Sequence, residues 1–258
     1  MENYLGRGIR GARFRVDRRL DRAAISRAHD VLYLSDAWTE ATWLGAQALK
    51  NPLDLWVYQE IMFETRPELV VETGTYRGGS AAFLASICDL LGSGEVVSID
   101  VEPVRDDYPT HPRITYLGGR SSVDPDVVAD VRSGAEGKRT LMILDSDHSQ
   151  AHVEAELAEY AGLVPVGGYV IVEDSNIGQI RKDLLPGPLQ AIETFLAGTD
   201  EFEVDRAREK FLITFNPSGY LRRVAAGTAA RLVLWYVGGP VRVVGARSNE
   251  QLREEACP

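Results

Sequence analysis

Three acidic residues follow two short apolar runs in the second half of the chain. Asp145 comes directly after the run at residues 141–144, and Glu173 and Asp174 come directly after the run at 169–172. Such runs predict buried parallel strands, whose carboxyl ends meet at one edge of a sheet. Acids gathered there repel one another unless a cation pairs with them; few lysines are near in sequence, and an all-oxygen set suits Mg²⁺. We therefore expect a Mg²⁺ site at Asp145, Glu173 and Asp174. The alternative is that single acids cap the following helices or loops.

A glycine-rich turn follows an earlier apolar run, in the order Glu72-x-Gly74-x-x-x-Gly78-Gly79. Gly74 permits a turn with positive φ, the paired glycines allow a ligand to approach the backbone, and Ser80 is placed to cap the next helix. Asp100 ends the following apolar run, where it would accept hydrogen bonds from ribose hydroxyls. An acid just before the first glycine repels a pyrophosphate but suits a cationic amino group. The pattern thus favours S-adenosylmethionine over NAD, although a glycine-rich turn of another α/β protein is the alternative.

A metal ion beside a methyl donor would bind a substrate hydroxyl and lower its pKa. Asp145 would then contribute to catalysis through the metal. His148, three residues later, is the best candidate for the general base because its ordinary pKa suits proton transfer near neutral pH. A structural role for His148, hydrogen-bonded to Asp147 or to a helix start, is equally compatible with the sequence. His152, one helical turn further on, is expected to support the site rather than to react.

Short apolar runs alternate with helical stretches from residue 69 onward, which is the pattern of a mostly parallel, Rossmann-like α/β sheet. Runs end at Glu72, Asp100, Leu117, Asp145 and Glu173, and helices are expected at 79–91, 124–132, 149–163 and 188–197. Strands at 202–204 and 210–215 would form a hairpin that adds an antiparallel strand. Residues 17–62 are expected to be mainly helical, with an irregular aromatic stretch at 35–45 and a break at Asn51-Pro52. Within them, Trp38 and Trp43 either fill the core or form part of a substrate wall.

Composition limits the class of protein. A chain of 258 residues that is 45% hydrophobic can bury one sizeable core, so we expect one domain with appendages. No apolar stretch reaches the length of a transmembrane helix, no signal peptide is evident, and two cysteines form no disulfide framework, so we expect a cytoplasmic protein. The net charge is −10, and because both ends of the chain are rich in arginine, residues 23–221 carry about −17, which argues against a nucleic acid as the substrate of the core. The apolar stretch at 232–244 suggests a packing or dimer element, and hence a homo-oligomer.

Several ordered segments carry a family resemblance. The chain resembles the cephalosporin-hydroxylase-like, or rhamnosyl O-methyltransferase, family over roughly residues 35–223, through NPLDLWVYQEI, VVETGTYRGGSA, HPRITYLGG, LDSDHSQAHVEAEL, GGYVIVEDSN and KFLITFNPSGYLRR. The resemblance implies a class I S-adenosylmethionine-dependent methyltransferase with Mg²⁺ on the same three acids. It implies cofactor contacts at Glu72, Gly74, Tyr76, Ser80 and Asp100, with Ser121 or Ser122 near the adenine. Catechol and caffeoyl-CoA O-methyltransferases have similar strand ends but carry a lysine where this chain has His148.

The resulting expectation is a Mg²⁺-dependent O-methyltransferase acting on a hydroxyl of a small molecule, with a deoxysugar of a natural product or glycolipid as the favoured acceptor. Residues 1–62 would form an N-terminal helical arm and cap, 63–223 the methyltransferase core, and 224–258 a C-terminal extension. The loop at 175–188 would form a substrate lid. The alternative is an S-adenosylmethionine-binding partner of an oxygenase in antibiotic biosynthesis, with little catalysis of its own. No iron-binding set of two histidines and one carboxylate is evident, which argues against intrinsic oxygenase activity.

Overall fold

The computed structural model describes residues 18–227 together with the short strands at 235–236 and 239–240. The arginine-rich N-terminal residues before 18 and most of the predicted apolar element at 232–244 lie outside the described residues. Seven α-helices are described: α1 Arg18–Leu34, α2 Pro52–Thr65, α3 Gly79–Leu91, α4 Pro125–Ala135, α5 Gln150–Tyr160, α6 Ile177–Ile180 and α7 Pro188–Gly198. None of them is long and apolar enough to cross a membrane.

The strands form one large sheet and two small hairpins. They are β1 Thr42–Trp43, β2 Ala46–Gln47, β3 Leu69–Thr73, β4 Glu95–Asp100, β5 Ile114–Gly118, β6 Thr140–Leu144, β7 Tyr169–Val172, β8 Phe202–Val204, β9 Tyr220–Arg223, β10 Trp235–Tyr236 and β11 Gly239–Pro240. The large sheet has the order β5-β4-β3-β6-β7-β9-β8. The first five of these strands are parallel, and β9 runs antiparallel between β7 and β8. This is the Rossmann-like α/β sheet that the sequence predicted.

Helices cover both faces of the sheet, which explains why the central strands are continuous apolar runs rather than alternating ones. Every residue of β3 and β6 is buried. One core packs α4, α5 and α7 against one face, and a second core packs α2 and α3 against the other. The chain order reverses between β3 and β6, and in such sheets ligands bind beyond the carboxyl ends of the strands at that reversal.

The N-terminal segment folds onto the same edge of the sheet. Helix α2 begins where the sequence predicted, because the Asn51 side chain accepts a hydrogen bond from the backbone N–H of Leu53 (3.1 Å) and Pro52 needs no N–H partner there. The stretch between α1 and α2 forms the β1–β2 hairpin, which the sequence did not predict. Each of these strands has two residues, which is too short to give a periodic signal.

The predicted strand at 210–215 is wrong. The antiparallel partner of β8 is β9, ten residues after Lys210, and residues 210–219 form a loop. Buried Asp54 on α2 holds this loop, since its carboxylate accepts hydrogen bonds from Thr214 Oγ1 (2.6 Å) and from the backbone N–H of Phe215 (2.9 Å). A contact over 160 residues of sequence therefore overrides the local strand preference.

Candidate active site

The glycine turn after β3 is fixed by close backbone packing. Gly74 has φ of +89°, and a Cβ added there would lie 2.0 Å from the carbonyl oxygen of Asp145. Asp100, at the end of β4, accepts hydrogen bonds through Oδ2 from the backbone N–H groups of Thr75 (2.8 Å) and Tyr76 (3.0 Å). The turn is therefore locked to the ends of both neighbouring strands, and only glycine fits at position 74.

A cavity of about 1460 Å³ opens at this edge of the sheet. Of the residues predicted to contact the cofactor, five line this cavity: Gly74, Tyr76, Asp100, Ser121 and Ser122. The other two lie behind the turn. Glu72 is fully buried, its Oε2 accepts a hydrogen bond from Ser98 Oγ (3.0 Å), and the Ser80 side chain lies beside its carboxylate.

Ser80 does not cap helix α3. The helix spans Gly79–Leu91, as predicted, but Gly78 occupies the cap and no side-chain hydrogen bond is made there. The Ser80 hydroxyl instead faces Glu72. Gly78 at the cap has φ of +72°, so the turn geometry rather than a serine cap starts the helix.

Asp145, His148 and Asp174 converge beside the cavity. His148 Nε2 lies 3.4 Å from Asp145 Oδ1 and 3.3 Å from Asp174 Oδ2. One ligand atom from each of the three residues falls within 4.8 Å of the others, and this is the one such group of three or more potential metal ligands among the residues with described positions. Asp174 has φ of +49°, an uncommon conformation for a residue other than glycine, and such strain is often found at functional sites.

Glu173 faces a different partner. Its Oε1 accepts a hydrogen bond from Lys50 Nζ at 2.7 Å, and the Tyr58 hydroxyl lies near its carboxylate. The same ammonium group donates to Asp145 Oδ2, and it lies 3.9 Å from Glu72 Oε1. Asp145 thus presents Oδ1 to His148 and Oδ2 to Lys50, so that one carboxylate joins the two halves of the site.

Lys50 is the residue that sequence reasoning missed. No lysine was expected to pair the acids, yet Lys50 stands just before helix α2 and its side chain is 3% exposed. It is separated from Asp145 by 95 residues and from Glu173 by 123. The one available signal was a lysine beside the Asn-Pro helix start, and nothing in that signal points to the acids.

The charges of this cluster shift its titrations. Burial acts to lower the pKa of His148, but the hydrogen bond to Asp145 and the charge of Asp174 outweigh it and raise the pKa to about 9. Burial raises the pKa of Asp174 to about 6, although His148 acts in the opposite direction. Burial also raises the pKa of Asp145, but Lys50 and His148 together lower it below its ordinary value. A positive charge close to these carboxylates therefore stabilises their ionised forms.

Aromatic side chains form another part of the cavity wall. Tyr33 and Trp38 line the cavity, and each packs edge-on against Phe215, with ring centroids 5.2 and 5.4 Å apart. Trp43 does not reach the cavity: it packs on Phe83 and donates a hydrogen bond to Ser86 Oγ (3.0 Å). Of the two tryptophans, Trp38 occupies the wall and Trp43 belongs to the core.

The family model described as Rhamnosyl O-methyltransferase/CmcI matches residues 35–224, which is most of the chain. The chain belongs to this family. A rhamnosyl O-methyltransferase of Mycobacterium leprae (strain TN) is 36% identical over 205 residues, covering 76% of this chain and 88% of that protein. A rhamnosyl O-methyltransferase of Mycobacterium tuberculosis (strain ATCC 25618 / H37Rv) is 36% identical over 208 residues, covering 76% and 83%.

Solved structures of CmcI share the fold of this rhamnosyl O-methyltransferase/CmcI family member. An apo-structure of CmcI superimposes with a TM-score of 0.56 at 26% identity, covering 73% of this chain and 78% of that one. A CmcI structure with Mg and SAM gives a TM-score of 0.55 at 23% identity, covering 72% and 78%, and it supports the fold. Family membership and fold together make the chain an S-adenosylmethionine-dependent O-methyltransferase.

Proposed function

We propose that this enzyme is a Mg²⁺-dependent O-methyltransferase that methylates a sugar hydroxyl on a larger molecule. The observation that carries the proposal is the convergence of Asp145, His148 and Asp174 at the wall of a cavity that also contains the glycine turn. Carboxylates from two neighbouring strand ends and a hydroxyl acceptor are what metal-assisted methyl transfer requires. The names of the relatives, which are rhamnosyl O-methyltransferases, support the sugar acceptor.

The cofactor would lie across the carboxyl ends of β3, β4 and β5. The backbone at Gly74 allows the methionine part to approach closely, and a side chain at this position would fill that space. Asp100 would accept from the ribose hydroxyls, and Ser121 and Ser122, which follow β5, would lie near the adenine. Glu72 and Ser80 would act from behind the turn by keeping its shape, because neither lines the cavity.

The donor set also fits a divalent cation. Asp145 and Asp174 offer carboxylate oxygens that hard cations such as Mg²⁺ prefer, and both are partly open to the cavity. Glu173, the third acid of the predicted set, lies on the other side of Asp145 and is shared with Lys50. A cation held by these acids would lower the pKa of a bound hydroxyl and orient its oxygen toward the methyl donor.

His148 is the candidate general base. Its Nε2 lies within 3.4 Å of both acids, so it borders the position where an acceptor hydroxyl would sit. His148 must be neutral to accept a proton, and its raised pKa falls once the negative charge of the neighbouring carboxylates is neutralised. The position of the methyl donor relative to the acceptor oxygen supplies much of the rate, because methyl transfer needs an in-line approach.

The acceptor is expected to be larger than a free monosaccharide. A single small ligand typically fills a pocket of roughly 300–1,000 Å³, whereas this cavity measures about 1460 Å³ and is bordered by Tyr33, Trp38, Leu184 and Leu185. The cofactor and a glycosylated acceptor with an apolar portion can therefore be bound together. The segment at 175–188, which contains α6, supplies part of this wall and stays a predicted lid. The cytoplasmic location and the homo-oligomeric state also stay predictions.

Methyl transfer from labelled S-adenosylmethionine to rhamnosylated glycolipids and glycosylated natural products tests the proposal. We expect transfer that EDTA abolishes and Mg²⁺ restores, and that falls at least about 100-fold in Asp145→Asn and Asp174→Asn. Asp126→Asn, at an exposed position in the first turn of α4, is the matched control and should leave the rate unchanged. Transfer unaffected by EDTA and by both substitutions would contradict the metal mechanism. Cofactor binding with no transfer to any acceptor would favour the partner-protein role.

A further inference from the structure

A hydrogen-bond network buried beside the cavity centres on Glu156 of helix α5. Glu156 is fully buried, and its Oε1 accepts hydrogen bonds from Ser122 Oγ at 2.6 Å and from Ser146 Oγ at 2.7 Å. Ser122 follows β5 and Ser146 follows β6, so one carboxylate oxygen joins the ends of two strands that are not neighbours in the sheet. Both serines also line the cavity.

The network contains a serine, a histidine and an acid, but it is not arranged as a nucleophilic triad. His152 Nε2 lies 3.1 Å from Ser122 Oγ and 3.4 Å from Glu156 Oε1, so the same ring nitrogen faces both groups. In a triad the acid contacts the other ring nitrogen, and the histidine takes the serine proton. Here Ser122 donates its proton directly to the carboxylate, which leaves the hydroxyl inactive as a nucleophile.

Glu156 is only half satisfied. Its Oε2 is buried and has no hydrogen-bond partner among the described residues. A buried carboxylate oxygen without a partner is costly, and such a group calls for an explanation beyond packing. We attribute the presence of this costly carboxylate to its other oxygen, Oε1, which orients two hydroxyl groups that line the cavity.

Each serine hydroxyl has a single proton, and Glu156 accepts both of them. Toward the cavity, Ser122 and Ser146 can therefore only accept hydrogen bonds. A ligand atom that meets these two oxygens must carry N–H or O–H groups, and a carbonyl oxygen in the same place would meet lone pairs. Glu156 thus sets the hydrogen-bonding character of this part of the wall without touching the ligand.

The network lies beside the position proposed for the ribose. Asp100 pairs in register with Gly118 at the end of β5, and the backbone N–H of Arg120 donates to the carbonyl oxygen of Asp100 (3.2 Å). The base of a nucleoside whose ribose is held by Asp100 would extend onto the loop that contains Ser122. The 6-amino group of adenine carries two N–H donors and matches the two acceptors.

We propose that Glu156 is a positioning residue that makes Ser122 and Ser146 acceptors for the 6-amino group of the adenosyl cofactor, so that the site selects adenine over a 6-oxopurine. The inference rests on the proposed cofactor site and adds to it the source of base selectivity. A site built to pair a ligand N–H rejects an analogue that lacks it, because the partner groups are left unpaired.

Binding measurements test this selectivity without any methyl transfer. The probes are S-adenosylhomocysteine and S-inosylhomocysteine, which carries a carbonyl oxygen at purine position 6, each titrated by isothermal calorimetry. We expect the native enzyme to bind the adenosyl compound at least about 10-fold more tightly. Glu156→Leu frees both hydroxyl protons, and the preference should fall to about 2-fold. Glu156→Gln should keep most of it, since the amide oxygen accepts the same two hydrogen bonds.

Glu159→Leu, on the exposed side of the same helix, is the matched control and should keep the native preference. Ser146→Ala removes one acceptor from a partly exposed position. If Glu156→Leu does not fold, Ser146→Ala still tests the selectivity. This variant should weaken binding of S-adenosylhomocysteine several-fold and leave binding of S-inosylhomocysteine unchanged. Equal binding of both compounds by the native enzyme, or full selectivity in a folded Glu156→Leu or Ser146→Ala variant, would overturn the inference. Native enzyme that binds neither compound would instead refute the proposed cofactor site.

Discussion

Lys50 supplies the positive charge that allows the acidic site to be buried. Its ammonium group, 3% exposed, is bonded to Asp145 and lies 2.7 Å from Glu173 Oε1. Lys50→Met keeps most of the side-chain volume and removes the charge. Removing one partner of a buried ion pair costs about 3–5 kcal/mol, because the other charge is left buried without compensation. Since a typical domain is stable by about 5–15 kcal/mol, this loss would be a large part of the total.

Urea unfolding followed by circular dichroism, in buffer with EDTA, measures this loss. Lys138→Met is the matched control: Lys138 is 38% exposed and pairs with Glu95 at 3.4 Å, so its loss should cost less than about 1 kcal/mol. Burial and the charge of Asp145 raise the pKa of Glu173. Adding Glu173→Gln to Lys50→Met removes a carboxyl that must otherwise stay buried without its cationic partner, and it should recover part of the stability. If Lys50→Met stays within about 1 kcal/mol of the native free energy of unfolding, or if the double variant is less stable than the single one, Lys50 does not compensate the buried acids.

Three further predictions concern the turn, the core and the acceptor wall. Gly74→Ala places a Cβ 2.0 Å from the carbonyl oxygen of Asp145 at a φ of +89°. Calorimetry should show loss of S-adenosylhomocysteine binding, and the free energy of unfolding should fall by about 1–3 kcal/mol or more. Native-like binding would contradict the turn geometry. Burial raises the pKa of Cys88 to about 11, so its thiol stays protonated below that pH and should resist thiol reagents at pH 8 until the protein unfolds. Labelling of a variant without the other cysteine measures this. Rapid labelling of the native protein would contradict it. Trp38→Ala should raise the KM for the acceptor more than it lowers kcat, and it should leave S-adenosylhomocysteine binding unchanged. Trp43→Ala should mainly lower the free energy of unfolding. The reverse pattern would exchange the roles of the two tryptophans.

The sheet was predictable because its signals are local. Each central strand is a short apolar run, and the turn at Gly74 requires a residue without a side chain, so that strand positions and the ligand edge can both be read from the sequence. Strand β9 was not predictable in the same way. The loop before it is held by Asp54, and no periodic pattern reveals a partner on a helix 160 residues earlier.

The site was predictable in its acids and not in its pairings. Asp145, Glu173 and Asp174 were placed at neighbouring strand ends from sequence, and the structure brings Asp145 and Asp174 together with His148. Which side of Asp145 each neighbour occupies depends on side-chain orientation at the strand ends. Lys50 and Glu156 act through contacts between distant segments, which residue spacing alone does not encode.

The proposed metal site is tested most directly by a crystal structure of the enzyme grown with Mn²⁺ and S-adenosylhomocysteine, in which anomalous scattering locates the metal. We expect one Mn²⁺ bonded to carboxylate oxygens of Asp145 and Asp174, beside a nucleoside whose ribose meets Asp100. The proposed metal site would be contradicted if the nucleoside bound in the cavity at saturating Mn²⁺ with no anomalous peak between these two acids. A peak elsewhere on the protein would contradict it as well.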